Sequence, residues 1–494
     1  MFPFKIHYTI LMTTYITKIN KPLFLLLVAL AGLSSCSKKE GLDTIPETTI
    51  SSTNVFDTPQ RIEGLVNGIY KGLKAASLYG GRYLLYEDVR GEDFINLTAN
   101  SYTAYESWSN SYSSGSNDIN NLWSAGYTTI NLANILIDGL AKHPNVVTAA
   151  KSNQYVAEAK LLRALSYYSL VTAFARPYNE NNGASKGLPL RLLAETGTAN
   201  NDLARSSVAV IYAQILKDLD EAEANLPDNY ESALLNTTRA HKSTAIALKT
   251  RVYLSMNQFS KVVDEAKKIV PQTTAPFSTL TGVKHVLQPN IFTIFDSDYT
   301  TAESILSMPM TTLDSYTGQS AIAYIYNTNL EYYLNPNGIL GDAQWGASDQ
   351  RRQLTRAVSG RQYFKKYAKP SPFLDYIPVI RYAEVLLNYA EASAKVGNLD
   401  LAKALLQAVH SRSDASFVFP EATFSSASGL INAIWKERRI ELLGEGFRSN
   451  DLQRNLLPIP AKGDSNLQAP EVPVTADNYI FPAANTELAT NKLY

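Results

Sequence analysis

From residue 54 onward, the apolar residues of this chain recur every three or four positions rather than every second one. That period is typical of amphipathic helices. Leu162 and Leu165, for example, belong to a broad apolar surface that ends where Pro177 cannot continue a helix. The pattern predicts short strands only near Ile291–Phe295 and Ile305–Met310, so the fold class is mostly α with little β. The predicted helices are Thr58–Lys74, Asn120–Ala141, Ser152–Phe174, Ser207–Leu226, Arg239–Met256, Phe259–Val270, Ile377–Val396, Leu399–His410 and Leu430–Leu443.

Two pairs of these helices resemble each other. Ala245–Met256 and Phe259–Val270 are joined by two residues, as are Val385–Val396 and Leu399–His410. Each pair has small or aromatic residues at its packing positions, which is typical of a tetratricopeptide-like hairpin that buries its faces by stacking on neighbours. Long insertions rich in Ser, Thr, Asn, Tyr and Pro separate the pairs, and loops of this length are usually functional or disordered. These insertions are Tyr79–Asp118, Arg176–Asn201 and Pro271–Pro378.

The charge and the rare residue types exclude several classes of protein. The chain has 45 Lys and Arg against 45 Asp and Glu, so it lacks the excess of cations that nucleic-acid capture requires. It has a single cysteine, and its five histidines are far apart in sequence. There is no phosphate loop, dinucleotide fingerprint or nucleophile elbow. We therefore expect no nucleic-acid partner, no metal site and no cofactor.

The single cysteine, Cys36, follows Lys18, Lys21 and an apolar run from Leu23 to Leu33. That run is too short to span a bilayer but has the length of the hydrophobic region in a secretory signal. The small residues directly before Cys36 resemble the lipobox of bacterial lipoproteins, in which the cysteine is lipidated after cleavage. An ordinary secreted protein with a chance cysteine is the alternative. We therefore expect a signal peptide over residues 1–35, with Met12 as an alternative start of translation, and a flexible tether over residues 36–53.

Several blocks of sequence, in the same order along the chain, resemble the SusD/RagB family. The N-terminal blocks are Asn121–Asn131, Leu161–Tyr168 and Leu216–Ala222, and the C-terminal blocks are Arg381–Ala392 and Trp435–Arg448 followed by Asp451, Leu452 and Arg454. The resemblance covers nearly the whole mature chain. It implies four tetratricopeptide-like units in a right-handed superhelix, an N-terminal helical region at 54–270, and a C-terminal region at 271–494 whose insertion 271–376 faces the ligand.

The same resemblance implies a function. Members of this family are outer-membrane lipoproteins displayed on the cell surface, where they bind a nutrient, usually a glycan and sometimes a peptide. They cap a TonB-dependent transporter of the SusC type, and they are not themselves catalysts. We therefore expect a lipid-anchored protein on the outer membrane, facing the exterior, with a SusC-like partner.

Two groups of polar residues within the C-terminal helices have a structural interpretation. Arg438 falls on the apolar face of its helix, where we expect it to pair with Glu441 or Glu445, and Glu437 lies beside it. Arg381, Glu384, Asn388 and Glu391 form a polar stripe on another apolar helix, as in a hydrogen-bonded seam between helices. A catalytic Arg/Glu pair is the alternative interpretation of the first group.

Four acids cluster at Glu87-Asp88 and Glu92-Asp93, close in sequence to Arg82 and Arg90. A glycoside hydrolase needs two carboxyl groups about 5–10 Å apart across a sugar cleft, and such a cluster offers candidates. Acids in polar loops are more often solvated or paired with nearby arginines. We therefore favour the structural interpretation over a hydrolase.

The aromatic insertions are better candidates for a ligand site. Sugar recognition uses flat aromatic faces for the C–H side of the ring and short amide or hydroxyl groups for its hydroxyls. One cluster surrounds Trp108, which we expect in an exposed loop, and the other lies in the C-terminal insertion. Packing of the insertions is the alternative role of these rings. The candidate ligand-binding residues are Arg82, Tyr102, Tyr105, Trp108, Tyr316 and Trp345. Peptide binding, a helical scaffold and a hydrolase remain open as alternatives to glycan binding.

Cys36→Ser tests the lipid anchor. We expect the variant to fold but no longer to fractionate with membranes, because the sequence from Leu42 to Tyr494 contains no other recognisable anchor. Retention on washed outer membranes would show that a partner alone holds the protein there. Protease treatment of intact cells gives the orientation, which Lys38 and Lys39 leave open because they precede the first acid after the cysteine.

Overall fold

Each of the nine predicted helical segments forms a helix in the computed structural model, which describes residues 54–197, 201–296 and 299–494. The predictions for the signal peptide, Cys36 and the tether lie outside these ranges. Local signals account for several helix starts: Thr58 accepts a hydrogen bond from the Arg61 N–H at 3.3 Å, directly before Pro59, and Ser207 accepts one from Val210 at 3.3 Å.

The helices in the described ranges include the predicted ones and several short additions, some of them within the insertions. They are α1 (Pro59–Leu73), α2 (Arg82–Val89), α3 (Tyr105–Ser109), α4 (Asn117–Lys142), α5 (Ala149–Phe174), α6 (Val208–Asn225), α7 (Ala233–Thr238), α8 (Lys242–Ser255), α9 (Phe259–Ile269), α10 (Phe292–Asp296), α11 (Tyr382–Lys395), α12 (Leu399–Ser413), α13 (Ala427–Glu441), α14 (Arg448–Arg454) and α15 (Asn485–Thr490). A π-helical turn spans Tyr324–Thr328.

Strands in the same ranges are two to five residues long and pair only as two-stranded antiparallel ladders. The pairs are β1 with β5, β2 with β3, β4 with β8, β6 with β7 and β9 with β10. Their bounds are β1 (Phe94–Asn96), β2 (Lys186–Pro189), β3 (Arg205–Ser207), β4 (Ser304–Met308), β5 (Tyr332–Leu334), β6 (Thr355–Val358), β7 (Arg361–Phe364), β8 (Ile377–Arg381), β9 (Lys462–Gly463) and β10 (Gln468–Ala469).

The long helices stack one on the next through the unit Phe56–Tyr494. Contacts run from α4 to α5, α5 to α6, α6 to α8, α8 to α9, α9 to α11, and from α11 to both α12 and α13. The central helix α5 is buried on all sides from Leu161 to Phe174, because α4 and α6 cover it. This succession is the tetratricopeptide-like arrangement expected from the sequence, and the prediction of a mostly α fold with little β is confirmed.

Two predictions in the C-terminal half need correction. The segment Ile291–Phe295, predicted as a strand, forms the short helix α10, whose Ile291, Ile294 and Phe295 pack in a small apolar cluster. The predicted helix Ile377–Val396 begins only at Tyr382. Its first residues form β8, because Ile377–Arg381 pairs with β4 and Pro378 would in any case disfavour the interior of a helix.

The polar stripe of α11 lies between helices. Glu384 forms an ion pair with Arg251 of α8 at 2.6 Å, and Asn388 accepts a hydrogen bond from Arg438 of α13 at 2.6 Å. Glu391 pairs with Arg454 of α14 at 2.6 Å. All of these groups are buried, so the stripe connects α11 to three other helices.

The partners of the α13 residues differ from those expected. Arg438 pairs with Asp451 of α14 at 3.0 Å instead of with Glu441 or Glu445. Glu437, for its part, pairs with Arg351 at 2.5 Å. The expectation was wrong because residues three and four positions along a helix are only the nearest candidates, and segments packed from elsewhere bring closer charges.

Arg251→Met tests the seam. The change leaves the carboxylate of Glu384 buried without its ion pair, so the free energy of unfolding should fall by about 3–5 kcal/mol. Denaturant titration measures this loss. Lys142→Ala is the matched control, because its pair with Asp138 is largely exposed and should contribute less than about 1 kcal/mol. A loss for Arg251→Met as small as that of the control would show that the seam contributes no net stability.

Candidate functional site

The two aromatic insertions, distant in sequence, meet along the ladder of β1 with β5. Phe94 lies opposite Leu334 and Asn96 opposite Tyr332. The Tyr332 hydroxyl then donates a hydrogen bond to the carbonyl of Thr103 at 2.7 Å. The ladder and this bond hold the loop 97–113 against the C-terminal insertion, so both insertions contribute to one surface.

Trp108 lies beneath that surface. It is 0% exposed, and its indole N–H donates to the Phe94 carbonyl at 2.8 Å. Its neighbour Ser107 is also buried and donates to Asp118 at 2.8 Å. The expectation of an exposed loop around Trp108 is therefore wrong, and neither face of the indole is available to stack on a sugar.

Trp345 is buried as well, with 2% of its surface exposed. The guanidinium of Arg352 lies 4.4 Å from its ring centroid, and the adjacent Gln344 donates to the Ala433 carbonyl of α13 at 2.9 Å. The ring therefore offers no free face to a ligand, and its neighbour Gln344 fastens the insertion to α13.

Two further candidates have structural contacts. The Tyr316 hydroxyl donates to the carbonyl of Lys74 at 2.9 Å, which fixes the insertion to the end of α1. Arg82 is buried, donates to the carbonyl of Tyr102 and lies 3.4 Å from Asp118. Burial raises the pKa of Asp118 to about 6, and Arg82 beside it opposes that rise. Arg82 therefore supports the loop that carries Tyr102.

Tyr102 is the most exposed of the candidates, whereas Tyr105, like Tyr316, is partly buried. Tyr102 is 61% exposed, which is unusual for a ring of this size. Tyr105 is partly buried, with its ring stacked on Trp108 at 6.0 Å between centroids and 24° between planes. Trp108 thus acts as the support of Tyr105.

An open groove of about 540 Å³ lies along β9 and β10, and we call it the loop groove. Helix α3, which carries Tyr105, lies against β10 at the edge of the groove. Amides, a hydroxyl and a carboxylate line it, together with backbone of β9 and β10. Its polar lining residues are Asn335, Asn337, Lys462, Asp464, Ser465 and Gln468.

Two residues of the loop groove are held in place by the protein. Asp464 accepts hydrogen bonds from the Tyr333 hydroxyl at 3.0 Å and from two backbone N–H groups, which lower the pKa of this carboxyl. Lys462 is buried, with its ammonium 5.8 Å from the Trp108 ring, and donates to the carbonyl of Val89 at 2.8 Å. The sequence analysis missed the segment 462–470, because it shows neither periodicity nor an aromatic cluster.

The acid cluster of residues 87–93 is held by the C-terminal block Trp435–Arg448. Asp88 accepts a hydrogen bond from the Gly446 N–H at 2.8 Å, and burial raises its pKa to about 7. Glu92 pairs with Arg448 at 2.5 Å; although burial opposes it, this arginine and Arg439 lower the pKa of Glu92 to about 2. These carboxyl groups are committed to protein partners, which does not favour a sugar-cleaving pair.

The described ranges contain no group of three or more His, Cys, Asp or Glu side chains placed to hold a metal ion. None of the helices described for residues 54–494 combines the length and apolar character needed to cross a membrane.

Comparison with known proteins identifies the family. Residues 41–254 match a family model, SusD-like, that is described as starch-binding and associating with the outer membrane, and residues 292–492 match the model of the SusD family. The crystal structure of a SusD superfamily protein from Bacteroides fragilis is 31% identical, covers 89% of this chain and 99% of its own, and superposes with a TM-score of 0.81. The chain belongs to the SusD family.

Other relatives agree with this assignment. The SusD-like protein P2 of Formosa agariphila is 26% identical over 94% of this chain and 96% of that protein. A structure described as a laminarin-binding SusD-like protein is 20% identical, covers 88% of this chain and 98% of its own, and has a TM-score of 0.67. SusD-like proteins are nutrient- and glycan-binding proteins of the outer membrane rather than enzymes.

Trp108→Ala tests the role of this ring in the SusD-like fold. Because the indole is fully buried, we expect a loss of about 3–5 kcal/mol in the free energy of unfolding, as for other large cavities in cores. Trp108→Phe keeps part of the volume and should lose less. Chemical denaturation measures both variants. Wild-type stability with weakened glycan binding in Trp108→Ala would instead return Trp108 to the binding surface.

Proposed function

We infer that this protein is a lipoprotein of the outer membrane, lipidated at Cys36 and facing the exterior, that binds a glycan in the loop groove. It passes the glycan to a SusC-like TonB-dependent transporter. The family assignment supports nutrient binding at the outer membrane. The lipobox-like sequence before Cys36 and the polar residues 36–53 support an anchor and a tether.

Two observations carry the glycan assignment: the exposed ring of Tyr102, and an amide-lined groove whose strand β10 packs against the helix of Tyr105. An exposed ring such as Tyr102 offers a flat face to the C–H side of a sugar. Asn337, Ser465 and Gln468 offer donors and acceptors for its hydroxyls. The open form of the groove suits an extended chain of sugars better than a small, enclosed metabolite.

The surface is rigid enough to bind without reorganising. Tyr105 rests on the buried Trp108, and Arg82 supports the carbonyl of Tyr102. Asp464 is fixed by Tyr333. A prearranged surface loses less conformational entropy on binding, which favours the modest contacts that a sugar offers.

Tyr102→Ala tests the loop groove. Removing an exposed stacking ring should weaken glycan affinity by about 1–3 kcal/mol, or roughly 5- to 150-fold, while leaving the unfolding midpoint unchanged. Tyr102→Phe keeps the ring face and is the matched control, with affinity close to wild type. Calorimetric titration with laminari- and malto-oligosaccharides, beside an array of other neutral glycans and peptides, provides the readout.

The outcomes separate the alternatives. Binding of peptides that is lost in Tyr102→Ala, without glycan binding, would replace glycan by peptide as the ligand of the groove. Glycan binding that is insensitive to Tyr102→Ala would place the glycan elsewhere on the protein.

A further inference from the structure

A second and larger cleft, of about 860 Å³, lies wholly within the insertion 271–376. We call it the insertion cleft. It shares none of its lining residues with the loop groove. The segments that line it are 290–296, 327–328, 353–356, 365–370 and 375. Its size is that of a ligand pocket rather than of a packing defect.

Three cations line this cleft: Arg356, Lys365 and Lys369. Arg356 and Lys365 are exposed, and Arg356 donates only to the carbonyl of Asn327. The ammonium of Lys369 lies 5.6 Å from the ring centroid of Tyr299. Within the described ranges none of the three forms an ion pair, in contrast to buried cations such as Lys366 and Arg381.

Two acids also line the cleft, and they offset this charge only in part. Asp375 is buried and accepts hydrogen bonds from the Tyr299 hydroxyl at 3.0 Å and the Lys369 N–H at 2.9 Å. Burial raises the pKa of this carboxyl. Asp296, at the end of α10, is exposed. The cations therefore outnumber the carboxylate that a ligand would meet at the surface.

The cleft also offers an apolar face and neutral polar groups. Phe292 is partly exposed on α10 and packs on the buried Ile291, Phe295 and Leu354. Asn290, Thr328 and Gln353 add amide and hydroxyl groups. An aromatic face with short polar groups suits a sugar ring, whereas a simple anion would need only the cations.

The floor of the cleft is anchored to the helical core. Lys366, next to Lys365, is buried and donates to Glu445 at 2.7 Å, and its ammonium lies 4.9 Å from the Phe295 ring. One wall is the π-helical turn Tyr324–Thr328, which places Thr328 at the edge. Turns of this kind occur frequently at functional sites.

We propose that the insertion cleft is a second binding site, specific for an acidic saccharide, with Arg356, Lys365 and Lys369 recognising its carboxylate or sulfate groups and Phe292 its ring. The proposal is independent of the loop groove. It adds a group of surface cations, whereas the loop groove has a partly exposed carboxylate and only a buried lysine, so that one chain could hold two parts of a mixed glycan.

The test compares matched ligands on the full mature chain. Oligogalacturonate supplies carboxylates, carrageenan oligosaccharides supply sulfate esters, and neutral galacto-oligosaccharides of equal length supply neither. We expect acidic oligosaccharides to bind at least about tenfold more tightly than the neutral ones, with affinity that falls as salt rises. The comparison of the two acidic series shows which group is preferred.

Lys365→Gln/Lys369→Gln should weaken acidic binding roughly tenfold without lowering the unfolding midpoint, because both residues lie at the surface. Lys365→Arg/Lys369→Arg should retain the binding, and Lys142→Gln/Lys186→Gln is the control for net charge. Tyr102→Ala should leave acidic binding unchanged, which separates this site from the loop groove.

Three outcomes would overturn the proposal. The first is equal affinity for acidic and neutral oligosaccharides, and the second is binding of inorganic sulfate with no binding of saccharides. The third is acidic binding that falls no more in Lys365→Gln/Lys369→Gln than in the control Lys142→Gln/Lys186→Gln. Loss of neutral-glycan binding in Tyr102→Ala bears on the loop groove alone.

Discussion

The carboxylate of Glu441, at the C-terminal end of α13, forms ion pairs with Arg351, Arg381 and Arg412 at 3.0, 3.0 and 2.6 Å. Burial alone would raise the pKa of Glu441, yet the three arginines hold it well below its usual range. Removing one partner from such a buried group is strongly destabilising, because it leaves an uncompensated charge. The segments that carry these charges are therefore fixed relative to one another.

One of those segments, which carries Arg351, lies within the insertion 271–376, and another, β8 with Arg381, directly follows it. Arg381 also pairs with Glu303 at 2.5 Å and with Glu445 at 2.7 Å, and Glu445 in turn pairs with Lys366. A stretch of chain with little regular structure is thus held on the helical stack by buried charges rather than by a sheet of its own. Both the loop groove and the insertion cleft are built on this support, which makes them prearranged surfaces rather than flexible loops.

The N-terminal loop is held from the other side. Glu92 and Asp93 pair with Arg448 and Arg439, more than 300 residues away, and Asp88 accepts hydrogen bonds from the backbone at the start of α14. The C-terminal block that begins at Trp435 and ends at Arg454 therefore has two roles in this chain. It completes the helical core, and it holds the loop that carries Tyr102. These acids appeared from the sequence to belong with Arg82 and Arg90, because only near neighbours are visible there.

The sequence by itself determined the helices, their order and the family, because helical periodicity depends on residues a few positions apart and family motifs lie within single helices. It also placed a polar stripe on α11, since offsets of three, four and seven residues share one face. It selected the loop around Tyr102 as a place where rings and small polar residues alternate.

Only the tertiary structure decided which of those rings are exposed. In the sequence Trp108 has polar neighbours, yet its side chain is fully buried. The Ser107 hydroxyl donates a hydrogen bond to Asp118, and the indole N–H donates one to the Phe94 carbonyl, which together hold this segment in the interior. Arg438 likewise pairs with Asp451 rather than with an acid of its own helix. Burial and charge pairing depend on which distant segments pack together, and no local pattern of residues contains that information.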